Sequence, residues 1–172
     1  MKTFLESGMT FSFDENDFFY IEKSKRFKKI NGAKPCECVV LHGGRVLLIE
    51  AKRSTPHPKN AKEFGDYLGE IVQKFRDSYT YYCAAHQKRH TPDVVARNLQ
   101  LLPLSNQYFE FYLIINGHKR EWLVPVLEQL KQMMKKDLKL WGFNDACVKV
   151  VNEQGALNRG LIIGIEDRQS SK

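Results

Sequence analysis

The chain has 172 residues, 42% hydrophobic and 27% charged, with 11 Gly and 6 Pro. At roughly 150 residues per domain this predicts one domain spanning 1–172, and it excludes collagen-like, low-complexity and wholly disordered chains. Lys and Arg (27) outnumber Asp and Glu (20), leaving a formal charge of +7; a basic surface of this kind suits a phosphate backbone.

The longest apolar runs, such as 111–115 and 161–165, are far shorter than the roughly 20 residues of a membrane span. Lys2 is followed by Glu6 before any apolar stretch. Neither a membrane anchor nor a signal peptide is expected, so the protein is read as soluble and cytoplasmic.

In chain order, Met9–Phe13 and Phe18–Glu22 are aromatic-rich and predict two strands, with Asp14-Glu15-Asn16-Asp17 as a hairpin connection. Lys23–Lys34 is polar and ends at the turn signal Asn31-Gly32, which predicts a mobile surface arm. Cys36–Leu41, the turn His42-Gly43-Gly44 and Arg45–Ala51 predict a β-hairpin, with Cys36 and Cys38 on one strand face. Thr55-Pro56-His57-Pro58 breaks the pattern. From about Lys59 the period becomes helical: Phe64, Tyr67, Leu68, Ile71, Phe75, Ser78, Tyr79 and Tyr82 predict one long helix. Thr91-Pro92-Asp93 predicts an N-cap opening a short helix to about Leu101. Phe109–Asn116 predicts a strand. Lys119–Trp141 predicts a helix ended by Gly142, with Trp122, Leu123, Val126, Leu130 and Leu138 on its apolar side. Cys147–Val151 is the expected final strand, and 167–172 a frayed tail. The order predicts an α/β domain, with a mixed central sheet flanked by helices.

The four cysteines are expected to be reduced. Cys83, His86 and His90 have a ligand-like i, i+3, i+7 spacing, but no CxxC pair supplies further ligands. They are read as core cysteine and surface histidines rather than a zinc site.

The informative segment runs from Pro35-Cys36-Glu37 to Glu50-Ala51-Lys52. Alternation puts Glu50 and Lys52 on one strand face, with Ile49 and Ala51 on the other. Glu37 belongs to the neighbouring strand of the hairpin. Two carboxylates and an ammonium are thus expected to converge beside apolar strands, where isolated charges cost several kcal/mol each. A divalent cation offsets that cost.

The Glu37-x(12)-Glu50-x-Lys52 pattern follows strands and precedes a helix. In this it resembles the PD-(D/E)XK, or restriction-endonuclease-like, nuclease superfamily, whose core order matches residues 17–115. Glu37 stands where that family usually has aspartate. The resemblance implies a restriction-endonuclease-like core and a metal-dependent nuclease, with endonuclease activity expected. It implies Mg²⁺ (or Mn²⁺) held by Glu37, Glu50 and the Ala51 carbonyl, and Lys52 orienting the attacking water. It further implies an upstream acid, for which Glu22 is the candidate, and a polar residue on the following helix. There Gln73 is preferred, because Lys74 has Glu70 as an i, i+4 partner. Lys23, Lys25, Arg26, Lys28, Lys29 and Arg53 are expected to grip nucleic acid, with DNA ranked above RNA; a homodimer or larger assembly is left open. The alternative is a catalytically inactive domain of that fold, serving as a nucleic-acid-binding or assembly module.

Overall fold

The computed structural model describes residues 1–90, 93 and 95–166. Two strands open the chain, β1 (Lys2–Glu6) and β2 (Met9–Phe13), paired antiparallel through a turn at Ser7-Gly8, where both residues have positive φ (52° and 74°). Next come β3 (Phe18–Phe19), β4 (Cys38–His42), β5 (Arg45–Lys52), α1 (Ala61–His86) and α2 (Arg97–Leu101). The chain ends with β6 (Phe109–Ile115), α3 (Leu123–Trp141), β7 (Val148–Asn152), α4 (Glu153–Leu157) and β8 (Gly164–Ile165).

The main sheet has five strands in the order β3-β4-β5-β6-β7. The β3, β4 and β5 neighbours are antiparallel, whereas β5, β6 and β7 run parallel. Gly43 and Gly44, at φ 57° and 76°, close the β4–β5 hairpin, a turn that L-residues with a Cβ resist. Every residue of β6 is buried, as expected of a central parallel strand covered on both faces. On one face Val46, Leu48, Phe111 and Leu113 pack with Leu68, Ile71 and Phe75 of α1 and with Val126 and Leu130 of α3. On the other, Leu47, Ile49, Tyr112 and Ile114 meet Met9 and Phe11 of β2 and Ala156 of α4.

The α/β class and mixed sheet match the sequence reading, but several details differ. Long helices cover only one face; the other is covered by the small antiparallel sheet β1-β2-β8 and the short α4. β2 does not pair with β3. It pairs with β1 and β8, so Asp14–Asp17 carries the chain from one sheet to the other. Strand β3 stops at Phe19, and Ile21–Lys23 is a 3₁₀ turn. β7 is not the last strand, since α4 and β8 follow it. The short helix α2 begins at Arg97; the expected cap at Thr91-Pro92 lies outside the described residues, as does the tail 167–172.

The 23–34 segment is not a free arm. It contains a second 3₁₀ turn, Phe27–Lys29, whose Phe27 is buried with its ring 4.7 Å from Tyr81 of α1. Lys34 N donates to Asp77 Oδ2 (2.9 Å), and Gln73 Nε2 donates to Gly32 O (2.8 Å). Cys36 and Cys38 face opposite cores rather than one. The cause is a bulge: Cys38 pairs with Ile49, and Glu37 N also donates to Ile49 O, so two residues oppose one and the alternation slips.

Candidate functional site

β5 carries the centre of the site. Its residues alternate as the sequence requires, with Ile49 and Ala51 in one core, and Glu50 and Lys52 turned together to the other side. Glu50 is fully buried. Its Oε1 meets Lys52 Nζ at 3.0 Å and Lys74 Nζ, from the middle of α1, at 2.7 Å. Burial pushes the Glu50 carboxyl up, against the pull of Lys74 and then Lys52. Burial alone would lower Lys74, but Glu50 outweighs it and holds the ammonium above its usual range.

Glu37, at the bulge, is 4% exposed. Its carboxyl is pushed up to about 8, first by burial, then by the negative charges of Glu50, Glu6 and Glu22. It therefore feels α1, through Lys74, as well as the β1 hairpin, through Glu6. The Oε2 atoms of Glu37 and Glu50 are both buried and have no hydrogen-bond partner. Unpaired carboxylate oxygens inside a protein are costly, and mutual repulsion adds to the cost. Protonation of Glu37 relieves both, as its raised pKa reflects, and so does a hard cation; with an unpartnered oxygen on each, the two acids fit the ion that the resemblance implies. No grouping of three His, Cys, Asp or Glu side chains suited to a metal occurs among the described residues.

The remaining expected ligands are less direct. The Ala51 carbonyl accepts a hydrogen bond from Ser7 Oγ (3.1 Å), which also donates to Glu6 Oε1 (3.0 Å). The β1–β2 turn thus reaches over the end of β5, a contact between residues 44 apart that no local pattern announces. Glu22 lies beside Glu37 through its backbone N–H to Glu37 O (3.4 Å), but its carboxylate pairs with Lys23 (3.3 Å).

Gln73 and Lys74 both depart from the partners expected of them. Gln73 is engaged with Gly32, whereas Lys74 points at Glu50; Glu70 instead faces Lys34, at 3.9 Å. A signal for this was present in the sequence. Lys74 lies three residues after Ile71 and four before Ser78, both buried, so it sits on the core-facing arc of α1. Cys83, His86 and His90 go separate ways. Burial raises Cys83, with Tyr79 beside it; His86 Nε2 contacts the Leu99 and Leu102 carbonyls; His90 stacks on Tyr81 at 4.4 Å.

Lys25, Arg26, Lys28 and Lys29 are exposed along the docked 23–34 segment, and Lys23 lies 5.5 Å from the Tyr20 ring centroid. Arg53, one residue beyond Lys52, is exposed and 3.8 Å from Glu166. No described helix is long and apolar enough to cross a membrane. Comparison of the chain with protein-family models, with curated proteins and with solved structures gives no match.

Proposed function

We propose that the protein is a metal-dependent nuclease of the restriction-endonuclease-like kind, cleaving phosphodiester bonds at Glu37, Glu50 and Lys52. One observation carries the reading: two adjacent buried carboxylates keep an unpartnered oxygen each, with two ammonium groups beside them. Glu37 and Glu50 would hold Mg²⁺ or Mn²⁺; the Ala51 carbonyl, the further ligand the resemblance implies, accepts a hydrogen bond from Ser7 Oγ. When bound there, the ion supplies Lewis-acid stabilisation of the phosphate and a more acidic water.

The chain's own residues do the rest. Lys52, whose side chain is 26% exposed, is the more accessible of the two lysines and the one to meet a phosphate oxygen. Lys74, 15% exposed, secures Glu50 in place and balances its charge, a positioning role. The exposed cations of 23–34, and Arg53, hold the flanking backbone by charge without reading bases.

The competing reading is an inactive binding or assembly module of the same fold. It is favoured by the two lysines already on Glu50 Oε1, and by the lack of a third acid in the cluster among the described residues. Cleavage assays on DNA and RNA substrates, with Mg²⁺ or Mn²⁺ and with EDTA, separate the two. Glu50→Gln is expected to lose cleavage by orders of magnitude while still binding nucleic acid, and Lys52→Met to lose cleavage with metal affinity largely intact. A parent that cuts while Glu50→Gln cuts equally well puts the chemistry elsewhere. A parent that binds but never cuts makes the module reading the correct one.

A further inference from the structure

Beyond Lys52, the chain leaves β5 through a Pro-rich loop, and Asn116 N donates to Lys52 O (2.8 Å) where β6 leaves the sheet beside it. These two loops, 53–59 and 116–122, lie outside the carboxyl ends of adjacent parallel strands, where open α/β sheets bind ligands. Between them is a cleft of about 530 Å³, within the range of roughly 300–1,000 Å³ usual for ligand sites.

Its walls are flat and apolar: Pro56, Pro58, Pro125 and the indole of Trp122. Trp122 was expected on the apolar side of a helix. Instead residues 120–122 form a 3₁₀ turn before α3, and the indole is 49% exposed. The His118 ring meets it edge-on at 5.5 Å; burial holds His118 below its usual pKa, favouring the neutral ring. Cations surround this aromatic floor. Lys119 Nζ lies over one face of the Trp122 ring, 5.0 Å from its centroid, and Arg53 and Lys59 line the cleft with a single acid, Glu121.

We propose that this cleft stacks an unpaired nucleobase of the strand whose phosphate lies at Glu50 and Lys52, so that the substrate is single-stranded or has a splayed end. The inference rests on the nuclease reading and deepens it. An exposed aromatic face next to cations is the arrangement that binds single strands, because every base has a π-face and every linkage a charge. A base held in a duplex stack cannot present that face.

The test uses the two tryptophans of the chain. Trp141 is half-buried, stacked on Phe111 at 5.5 Å and away from the cleft lining, so Trp122 is the indole that a ligand in the cleft meets. Full-length Glu50→Gln in EDTA is titrated with oligothymidylate, with a blunt duplex of equal length, and with an abasic strand of equal charge. Oligothymidylate is expected to quench Trp122 emission, and the other two to bind without quenching. Trp122→Ala should weaken single-strand binding about 5- to 150-fold, the range found for removing one base-stacking aromatic, while Trp122→Phe retains most of it. Unchanged Trp141 emission in Trp122→Ala shows that its core is intact. Single-strand binding without quenching, or undiminished in Trp122→Ala, overturns the inference even if the parent is a nuclease. Quenching by a parent that never cleaves leaves the cleft in place and removes the catalytic reading instead.

Discussion

Glu37 makes the metal-free protein sensitive to pH in a direction that can be worked out. In the unfolded chain its carboxyl titrates near 4.5; folded, it is pushed up to about 8, chiefly by burial and then by Glu50. Between these values the native state binds the proton and the unfolded state does not. Stability therefore falls as pH rises from about 4.5 to 8, and is flat in this group outside that window. At about 1.4 kcal/mol per pH unit, the interval comes to about 5 kcal/mol. Gln is a neutral stand-in for the protonated acid, so Glu37→Gln removes the penalty. In EDTA the variant should match the parent at pH 4.5 and exceed it by up to about 5 kcal/mol at pH 8. For a chain of this size that is about 10–20 °C in Tm. Urea or thermal unfolding across this pH range measures it. Saturating Mg²⁺ at pH 8 should return stability to the parent, about 2.7 kcal/mol at a hundredfold excess over Kd, and not to Glu37→Gln. Parallel stability–pH curves for parent and variant would refute the reasoning.

Two further outcomes test the basic surface. Phe27→Ala deletes the ring that anchors the 23–34 segment against Tyr81; it should cost about 3–5 kcal/mol, and limited proteolysis should open that segment first, whereas an undocked arm would show neither change. Neutralising Lys25, Arg26, Lys28 and Lys29 should weaken binding alike on all sequences and flatten the log K against log salt slope, by up to about 0.9 per contact on duplex DNA or about 0.7 on a single strand; an unchanged slope places the phosphate contacts elsewhere.

What the sequence made legible was local. The Gly43-Gly44 turn set the β4–β5 hairpin, and from it came Glu50 and Lys52 on one face, because both depend only on period and turn chemistry. The long helix α1 was legible for the same reason. β1 was missed because it is an edge strand with three exposed positions and little apolar alternation. Its turn at Ser7 nevertheless supplies a contact to Ala51, and Glu6 beside it raises Glu37. The bulge at Glu37 was invisible as well, since an extra residue in a ladder leaves no mark when Cys36, Cys38 and Val39 are all core-compatible. For Lys74, the i, i+4 pairing with Glu70 was the wrong guide. That pair is worth only about 0.2–0.5 kcal/mol on a helix surface, whereas a buried Glu50 left without an ammonium is penalised by several.

On the nuclease reading proposed above, the charges of the cluster would let one site attract a phosphate before any ion is present. Glu37 and Glu50 carry two acid groups, and Lys52 and Lys74 two ammonium groups. If all four were ionised, the cluster would be neutral and hold no preference for an anion. Because Glu37 is pushed up to about 8, its neutral form is favoured at neutral pH, which leaves the four groups together net positive. That charge lies at Lys52, whose side chain is partly exposed, on the side where Arg53 and Lys59 line the cleft. For Glu37 to hold a divalent ion it must give up its proton, after which the acids and lysines cancel and the ion alone sets the charge, at two positive units. The field at a phosphate there would therefore keep its sign on metal binding and grow. On that reading, the burial that makes an ionised Glu37 costly is what would let the same residues first attract an anion and then bind a cation.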